Sequence, residues 1–336
     1  MSMMADSSIV YSIVIPFLDE ELVLPTLIRR LDGVLEELDG RSEVIFVDDG
    51  SRDGSASIVS DKVQDDPRYR LISLSRNFGH QVAITAGMDI ASGQAVIVMD
   101  ADLQDPPELV IEMVAKWKAG FEIVFAERLS RQGESLFKRW TANVFYRVLS
   151  RLTSVEIPRN AGDFRLIDRK ALAVFRQMRE RDRFVRGMFG WIGFRQASVP
   201  FHRPGRDVGS TKYSLRKMLA LSLNGVIGFS DIPLRLALWL GFLISGVAGA
   251  MCLYVVALVA YDYTMVPGWA STMVLVAFLS GVNLLMTGIV GLYVGRIHSE
   301  VKNRPLYVVA QAVGFEDVRS AEVPPRVRPI VRAANF

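Results

Sequence analysis

The chain has a single cysteine, Cys252, among its 336 residues. That excludes an intramolecular disulfide and any cysteine-based metal cluster. No G-x-G-x-x-G follows its first apolar run, and no glycine-rich loop ends in Gly-Lys-Ser/Thr. Neither dinucleotide binding of the usual kind nor a P-loop is therefore expected, and an anionic ligand must be held by a metal and by arginines. His202 has no ligand-type residue beside it and reads as structural. There is no internal repeat. Met1 to Ser8 lacks a basic region followed by an apolar core, so no secretory signal is read and the N-terminal part is expected to stay on the side where it is made. The formal net charge is only +3, and no nucleic-acid partner is expected.

Apolar residues are abundant: half the chain is hydrophobic and the mean hydropathy is +0.25. Two uncharged segments, Leu236 to Tyr261 and Trp269 to Gly295, each exceed the roughly 20 residues that span a bilayer, so two transmembrane helices and an integral membrane protein are expected. Arg203, Arg206, Lys212, Arg216, Lys217 and Arg235 precede the first segment, and Arg296, Lys302 and Arg304 follow the second, while the connecting Asp262 to Gly268 has no basic residue. Both termini are accordingly expected to be cytoplasmic. Leu215, Met218, Leu219, Leu223, Val226 and Ile227 form one stripe, the pattern of an amphipathic helix lying on membrane lipid or against a partner subunit. Glycines such as Gly241, Gly246, Gly281 and Gly288 allow close helix packing within or between subunits, and a homo-oligomer is expected. The tail beyond Val309, with Pro324, Pro325, Pro329 and several arginines, is expected to be disordered near lipid headgroups. The resulting division is 1–210 catalytic, 211–231 amphipathic, 232–296 membrane-spanning and 297–336 a partly disordered tail.

Strand-like and helix-like stretches alternate through the first 126 residues. Ser12 to Phe17, Val44 to Val47, Arg70 to Leu74, Ala95 to Met99 and Glu122 to Ala126 read as strands. Between them Leu24, Leu27, Ile28, Leu31, Leu35 and Leu38 keep helical spacing, with further helices over Gln81 to Ala91 and Glu108 to Lys118. Short-range alternation of this kind implies an α/β fold with right-handed crossovers and a mostly parallel sheet. Such sheets bind ligands beyond the carboxyl ends of their strands, and Asp19, Asp48, Asp49, Asp100 and Asp102 all fall there. Asp105-Pro-Pro-Glu108 reads as a capping box, which leaves Asp100 and Asp102 over for another task. With Gln104 adding a neutral oxygen, they suit Mg²⁺ or Mn²⁺ bound jointly with a diphosphate.

Four strings in order carry a resemblance: Ile13-Val-Ile-Pro16 with Asp19-Glu20-Glu21; Val47-Asp48-Asp49-Gly50-Ser51; Leu74-Ser-Arg76-Asn77-Phe78-Gly79-His80; and Met99-Asp100-Ala-Asp102-Leu-Gln104-Asp105-Pro-Pro. Together they resemble the inverting glycosyltransferases of family two, within them the polyprenyl-phosphate glycosyltransferases that include bactoprenol glucosyltransferases and dolichol-phosphate mannose synthases. The resemblance runs from about Ile9 to Val308. It implies a Rossmann-like sheet of GT-A type, followed by amphipathic interface helices and the two transmembrane helices. Pro16, Asp19, Glu20, Asp48, Asp49, Asn77 and Asp100 are implied at the nucleotide sugar, and Asp100, Asp102 and Gln104 at the metal. Relatives usually carry Asn where this chain has Asp19.

Arg128, Arg131, Lys138 and Arg139 form a basic cluster, either a solvated helix face or contacts to an acceptor phosphate; the resemblance favours Arg128 and Arg139 for the second role. Ala161-Gly-Asp163-Phe-Arg165-Leu matches a family segment and makes Asp163, with Asp102, a catalytic candidate. Its role stays open between base and positioner, because a lipid monophosphate has a second pKa near ~6 and needs little proton removal. Arg165 reads equally as a structural partner of an acid, and Trp191, in the segment Arg183 to Trp191, as sugar-pocket or core. Arg206 and Lys212 sit in a glycine-bearing loop resembling the family's juxtamembrane R-x-x-G-x-S/T-K-Y element and could close on phosphates.

The expected reaction is transfer of a hexose, glucose first, from a UDP-sugar to undecaprenyl-type polyprenyl phosphate at the cytoplasmic face of the bacterial inner membrane. The same reaction with GDP-mannose, UDP-galactose, UDP-N-acetylglucosamine or a UDP-modified arabinose is the alternative. A processive synthase is disfavoured by the missing Q-x-x-R-W motif. A non-catalytic scaffold or flippase accessory would not need its acids.

Overall fold

β1 (Tyr11–Phe17) is buried at every one of its positions, the burial that a continuous apolar run takes inside a sheet covered on both faces. A computed structural model of the chain describes residues 8–129, 161–202 and 268–315, with isolated positions between 239 and 257. After β1 come α1 (Leu24–Glu37), β2 (Ser42–Asp48), α2 (Ser55–Asp65), β3 (Tyr69–Leu74), α3 (His80–Ile90) and β4 (Ala95–Val98). Then follow α4 (Leu109–Lys118), β5 (Ile123–Leu129), β6 (Ala161–Asp168), α5 (Arg169–Phe175), α6 (Val185–Ile192), β7 (Gln196–His202), α7 (Trp269–Val301) and β8 (Val309–Val313). The eight strands form one sheet in the order β7-β5-β6-β4-β1-β2-β3-β8.

The expected strands and helices of the first half are present. On α1 the buried side chains are Leu24, Leu27, Ile28, Leu31, Val34 and Leu35, the stripe its spacing requires. β4-β1-β2-β3 are parallel neighbours, and their carboxyl ends share one rim.

The sheet departs from simple alternation after β4. β6 inserts between β4 and β5, antiparallel to both, β7 lies parallel to β5, and β8 closes the far edge antiparallel to β3. β6 escapes a sequence reading because Asp163, Arg165 and Asp168 interrupt its apolar run. Asp163 and Arg165 are nonetheless buried, as are Phe164 and Leu166 on the other face. The register sets Val98 opposite Arg165, which carries Asp163 toward the β4 end that bears Asp100.

β8 is the first stretch of what the sequence presents as a tail. It covers the edge of β3, whose ladder groups would otherwise be open. Just before it, Tyr307 is buried, and its hydroxyl donates to Asp89 Oδ2 at 2.9 Å. Asp89 also receives Arg179 Nη1 at 2.9 Å, so residues 304–315 belong with the sheet.

The expected capping box is not formed. α4 starts at Leu109 with Glu108 at its N-cap and no side-chain cap. Glu108 instead pairs with Arg30, accepting from Nε at 2.8 Å, and Asp105 faces Arg128. The Pro106-Pro107 turn, in which Leu109 N–H donates to the Pro106 carbonyl and Val110 N–H to that of Pro107, separates Asp105 from the helix start.

A second unit spans Tyr213–Asn303. Within it α7 is the one helix among the described residues long and apolar enough to cross a membrane, over Phe278–Val301. Leu284, Leu292 and Ile297 on it are exposed. Of the first expected span only isolated helical positions between 239 and 257 are described; the amphipathic stripe from Leu215 and the basic residues Arg131, Lys138, Arg139, Arg206 and Lys212 lie outside the described residues.

α3 packs against the centre of the sheet through Gly87, where a Cβ would stand 2.3 Å from Val14 Cγ1 and 3.0 Å from Val47 Cγ2. Gly87→Ala is therefore expected to lower stability by about 1–3 kcal/mol through overpacking, read as a reduced unfolding temperature of the detergent-solubilised protein.

Candidate active site

Two groups of side chains lie along the rim, joined by one turn. The first lines a cleft of about 600 Å³ bounded by Leu18, Asp19, Asp48, Ser51, Arg76 and Asn77, among others. Asp48 is buried, and its Oδ1 accepts the Ser51 N–H at 2.8 Å, which shapes the turn after β2. Asp19 is a non-glycine residue at φ 54°, and its carboxylate accepts the Arg52 N–H at 2.8 Å. Backbone in that region is costly for such a side chain and persists only where surrounding contacts hold it.

The expected nucleotide-sugar residues separate here. Asp19, Asp48 and Asn77 line the cleft. Pro16 is buried within β1 opposite Val47, and the Glu20 backbone N–H donates to Ser55 Oγ at 2.9 Å. Asp49 turns to the chain itself: its oxygens accept the N–H of Phe78 at 2.7 Å and of Gly79 at 3.0 Å. Burial raises its pKa despite those bonds. Asp49 thereby pins the turn Asn77-Phe78-Gly79, where Gly79 sits at φ 102° and ψ 148°, a conformation essentially confined to glycine. That turn delivers His80 and Gln81 as the first residues of α3.

The second group gathers around Asp163. Arg186 Nε donates to Oδ1 at 2.8 Å and Nη2 to Oδ2 at 3.0 Å, a two-pronged pair. Gln81 Nε2 donates to Oδ2 at 3.2 Å, and His80 Nε2 stands 3.6 Å from the same oxygen. Burial pushes the carboxyl upward, but Arg186, His80 and the nearby Arg165 hold its pKa well below the usual carboxylate range. Asp163 is therefore an anion at neutral pH. Arg165 is buried, donates Nη2 to the Gly162 carbonyl at 2.9 Å and is pushed down to about 10 by that burial, so it keeps its charge.

His80 links this group to Asp100, its Nε2 lying 3.2 Å from Oδ1. Desolvation opposes a charge on the imidazole, yet Asp100 and Asp163 together raise its pKa to about 10. The contact is one of charge rather than direction, because Asp100 Oδ1 is buried and receives no aligned hydrogen bond. Asp102 Oδ1 accepts the Gln104 N–H at 3.1 Å across Leu103, which is itself at φ 56°. Strain at a leucine between two candidate ligands marks the segment as held for a purpose other than stability. Among the described residues no three His, Cys, Asp or Glu side chains form a ready-made ion cage.

Arg128, the one expected acceptor-phosphate arginine within the described residues, reaches Asp105 with Nη2 at 3.2 Å. Trp191 is 61% exposed and is not core. His80, Gln81 and Arg186 are absent from the residues expected to act. For His80 a signal existed, since it closes the Arg76 to His80 string. For Arg186 one existed too, since it lies in the Arg183 to Trp191 segment; Gln81 has none and meets Asp163 only through the placement of β6.

Residues 12–175 match the family model described as glycosyl transferase family 2. A glycosyltransferase of Bacillus subtilis, YkcC, itself described as uncharacterized, is 47% identical over 309 residues, covering 92% of this chain and 96% of that one. The SfII prophage-derived bactoprenol glucosyl transferase of Shigella flexneri is 35% identical over 301 residues, covering 90% and 97%. Among solved structures, mannosyl-3-phosphoglycerate synthase of Rubrobacter xylanophilus aligns with 68% of this chain and 74% of that one at 16% identity and a TM-score of 0.46, too loose a likeness to bear on function. Near-complete coverage at 35% identity and above, over a sheet with its acids on one rim, establishes that the chain belongs to glycosyltransferase family 2.

Proposed function

We propose that the protein transfers a hexose, glucose in the first instance, from a UDP-sugar to a polyprenyl phosphate at the cytoplasmic face of a bacterial membrane. The observation that carries the donor half is the acid-lined cleft at the carboxyl ends of β1, β2 and β3, together with Asp100 beyond the end of the neighbouring β4, whose buried Oδ1 receives no hydrogen bond. The acceptor half is supported by the relative described as a bactoprenol glucosyl transferase and by α7, whose exposed leucines and isoleucine suit lipid rather than water.

Asp100 and Asp102, with the Gln104 oxygen, fit Mg²⁺ or Mn²⁺, because two carboxylates and an amide leave positions for diphosphate oxygens. Such an ion supplies neutralisation of the leaving nucleoside diphosphate. The chain's own groups do the rest. Asp19, Asp48 and Asn77 receive the nucleoside in the cleft, while Asp49 keeps the 77–79 turn in place behind it. Arg186 pairs with Asp163, and His80 stands between Asp163 and Asp100, so the acid is compensated in a site that must accept a second anion. Asp163 acts as a positioner, not a base: held ionised far below neutrality, it is a weak proton acceptor, and the attacking phosphate is already largely dianionic. Arg128, with Arg131, Lys138, Arg139, Arg206 and Lys212, is assigned to the acceptor phosphate. The two spans, the cytoplasmic termini and a homo-oligomeric state complete the proposal.

Membranes carrying the protein are expected to transfer label from UDP-[¹⁴C]glucose into a mild-acid-labile lipid. EDTA and Asp102→Ala are each expected to reduce that label at least a hundredfold; no label with any common sugar donor from folded, membrane-inserted protein refutes the assignment. The pH profile separates the two roles of Asp163. Its depressed pKa keeps the stabilising pair with Arg186 intact down through the ordinary carboxylate range, and that stability is lost only as pH falls through the depressed value. Any acid limb near pH ~6 then belongs to the acceptor phosphate, so Asp163→Asn is expected to lower the rate and leave the limb where it is.

A further inference from the structure

Gln81 holds two elements with one amide. Its Oε1 accepts the N–H of Val185, the first residue of α6, at 3.0 Å, and its Nε2 donates to Asp163 Oδ2 at 3.2 Å. The orientation is unique, since a backbone N–H can only donate and an ionised carboxylate can only accept. α6 has Phe184 at its N-cap and no side-chain cap of its own, so Gln81, 104 residues away in sequence, satisfies one of the amide groups that every helix start leaves open. Arg186 is the next residue of that helix, and it makes the two-pronged pair with Asp163. Gln81 is fixed in turn on α3, where the Thr85 hydroxyl donates to its carbonyl at 2.8 Å.

We propose that Gln81 is a positioning residue for glycosyl transfer, setting Asp163 and Arg186 in one geometry by capping the start of α6 and holding the carboxylate with the same amide. The inference rests on the proposed transferase function of this site. The nucleotide cleft is lined by residues of β1, β2, β3 and their following turns and does not include Gln81, so the amide acts on the reacting end of the substrate and not on nucleotide affinity. Misplacement of a catalytic constellation by about 1 Å costs on the order of a hundredfold in rate.

Two variants separate the two ends of the amide. Gln81→Glu keeps the acceptor for Val185 and replaces the donor by an anion facing Asp163; Gln81→Met keeps the bulk and removes both. The charged groups around position 81 are His80 on α3, Asp163 and Arg165 on β6, and Arg186 on α6. Both variants are expected to lose ten- to a hundredfold in kcat with the UDP-sugar KM within twofold of wild type. Gln81→Glu is expected to regain activity relative to wild type as pH falls from 8 to 6, because protonation of the introduced carboxylate restores a donor to Asp163, and Gln81→Met is not. Hydrogen exchange of the α6 amides is expected to quicken in Gln81→Met and to stay near wild type in Gln81→Glu.

Unchanged kcat, a loss confined to KM, or α6 exchange unaltered in Gln81→Met overturns the inference. If the wild type transfers to no lipid phosphate, the proposed function falls, and the exchange comparison still decides whether Gln81 braces α6.

Discussion

The structure turns on one buried anion. A carboxylate removed from water is expensive unless each lone pair finds a partner and a compensating charge stands close by. Asp163 meets those terms with groups from three elements: His80 and Gln81 at the start of α3, Arg186 near the start of α6, and Arg165 on its own strand. Helices with no covalent reason to converge are brought to one point because that point carries a charge. β6, lying between β4 and β5, sets Asp163 where His80 stands between it and Asp100.

The turn Asn77-Phe78-Gly79 makes the two halves of the rim one site. Asp49 fixes it from below through backbone hydrogen bonds, Asn77 faces the cleft, and the next residue is His80. Displacement at the cleft would therefore be felt at the charged end over very few bonds. Asp49 does this through the chain and not through the ligand, which separates it from its sequence neighbour Asp48, whose side chain lines the cleft.

The first half of the fold is legible because its strands are unbroken apolar runs and α1 keeps one stripe, so periodicity places β1 to β5 and α1. The acids at the strand ends were legible for the same reason. β6 was not, because buried Asp163 and Arg165 look like a solvated turn until their partners are known. Asp105 was misread as a helix cap: its sequence neighbours fit that role, but its ion pair with Arg128 comes from a strand that no local pattern brings near. β8 was hidden because Val309–Val313 has exposed positions at its centre and gains its meaning only from the open edge of β3. Gln81 carried no signal at all, since both its contacts span more than 80 residues.

The membership of β8 in the sheet has a topological consequence. β7 ends at His202 and β8 begins at Val309, and both are strands of one hydrogen-bonded sheet. A sheet cannot be divided by a bilayer, so a chain that leaves from one of its strands and returns to another has to cross any membrane an even number of times. The intervening stretch, α7 included, is thus an insertion between two strands of that sheet, not an appendage hung from its end.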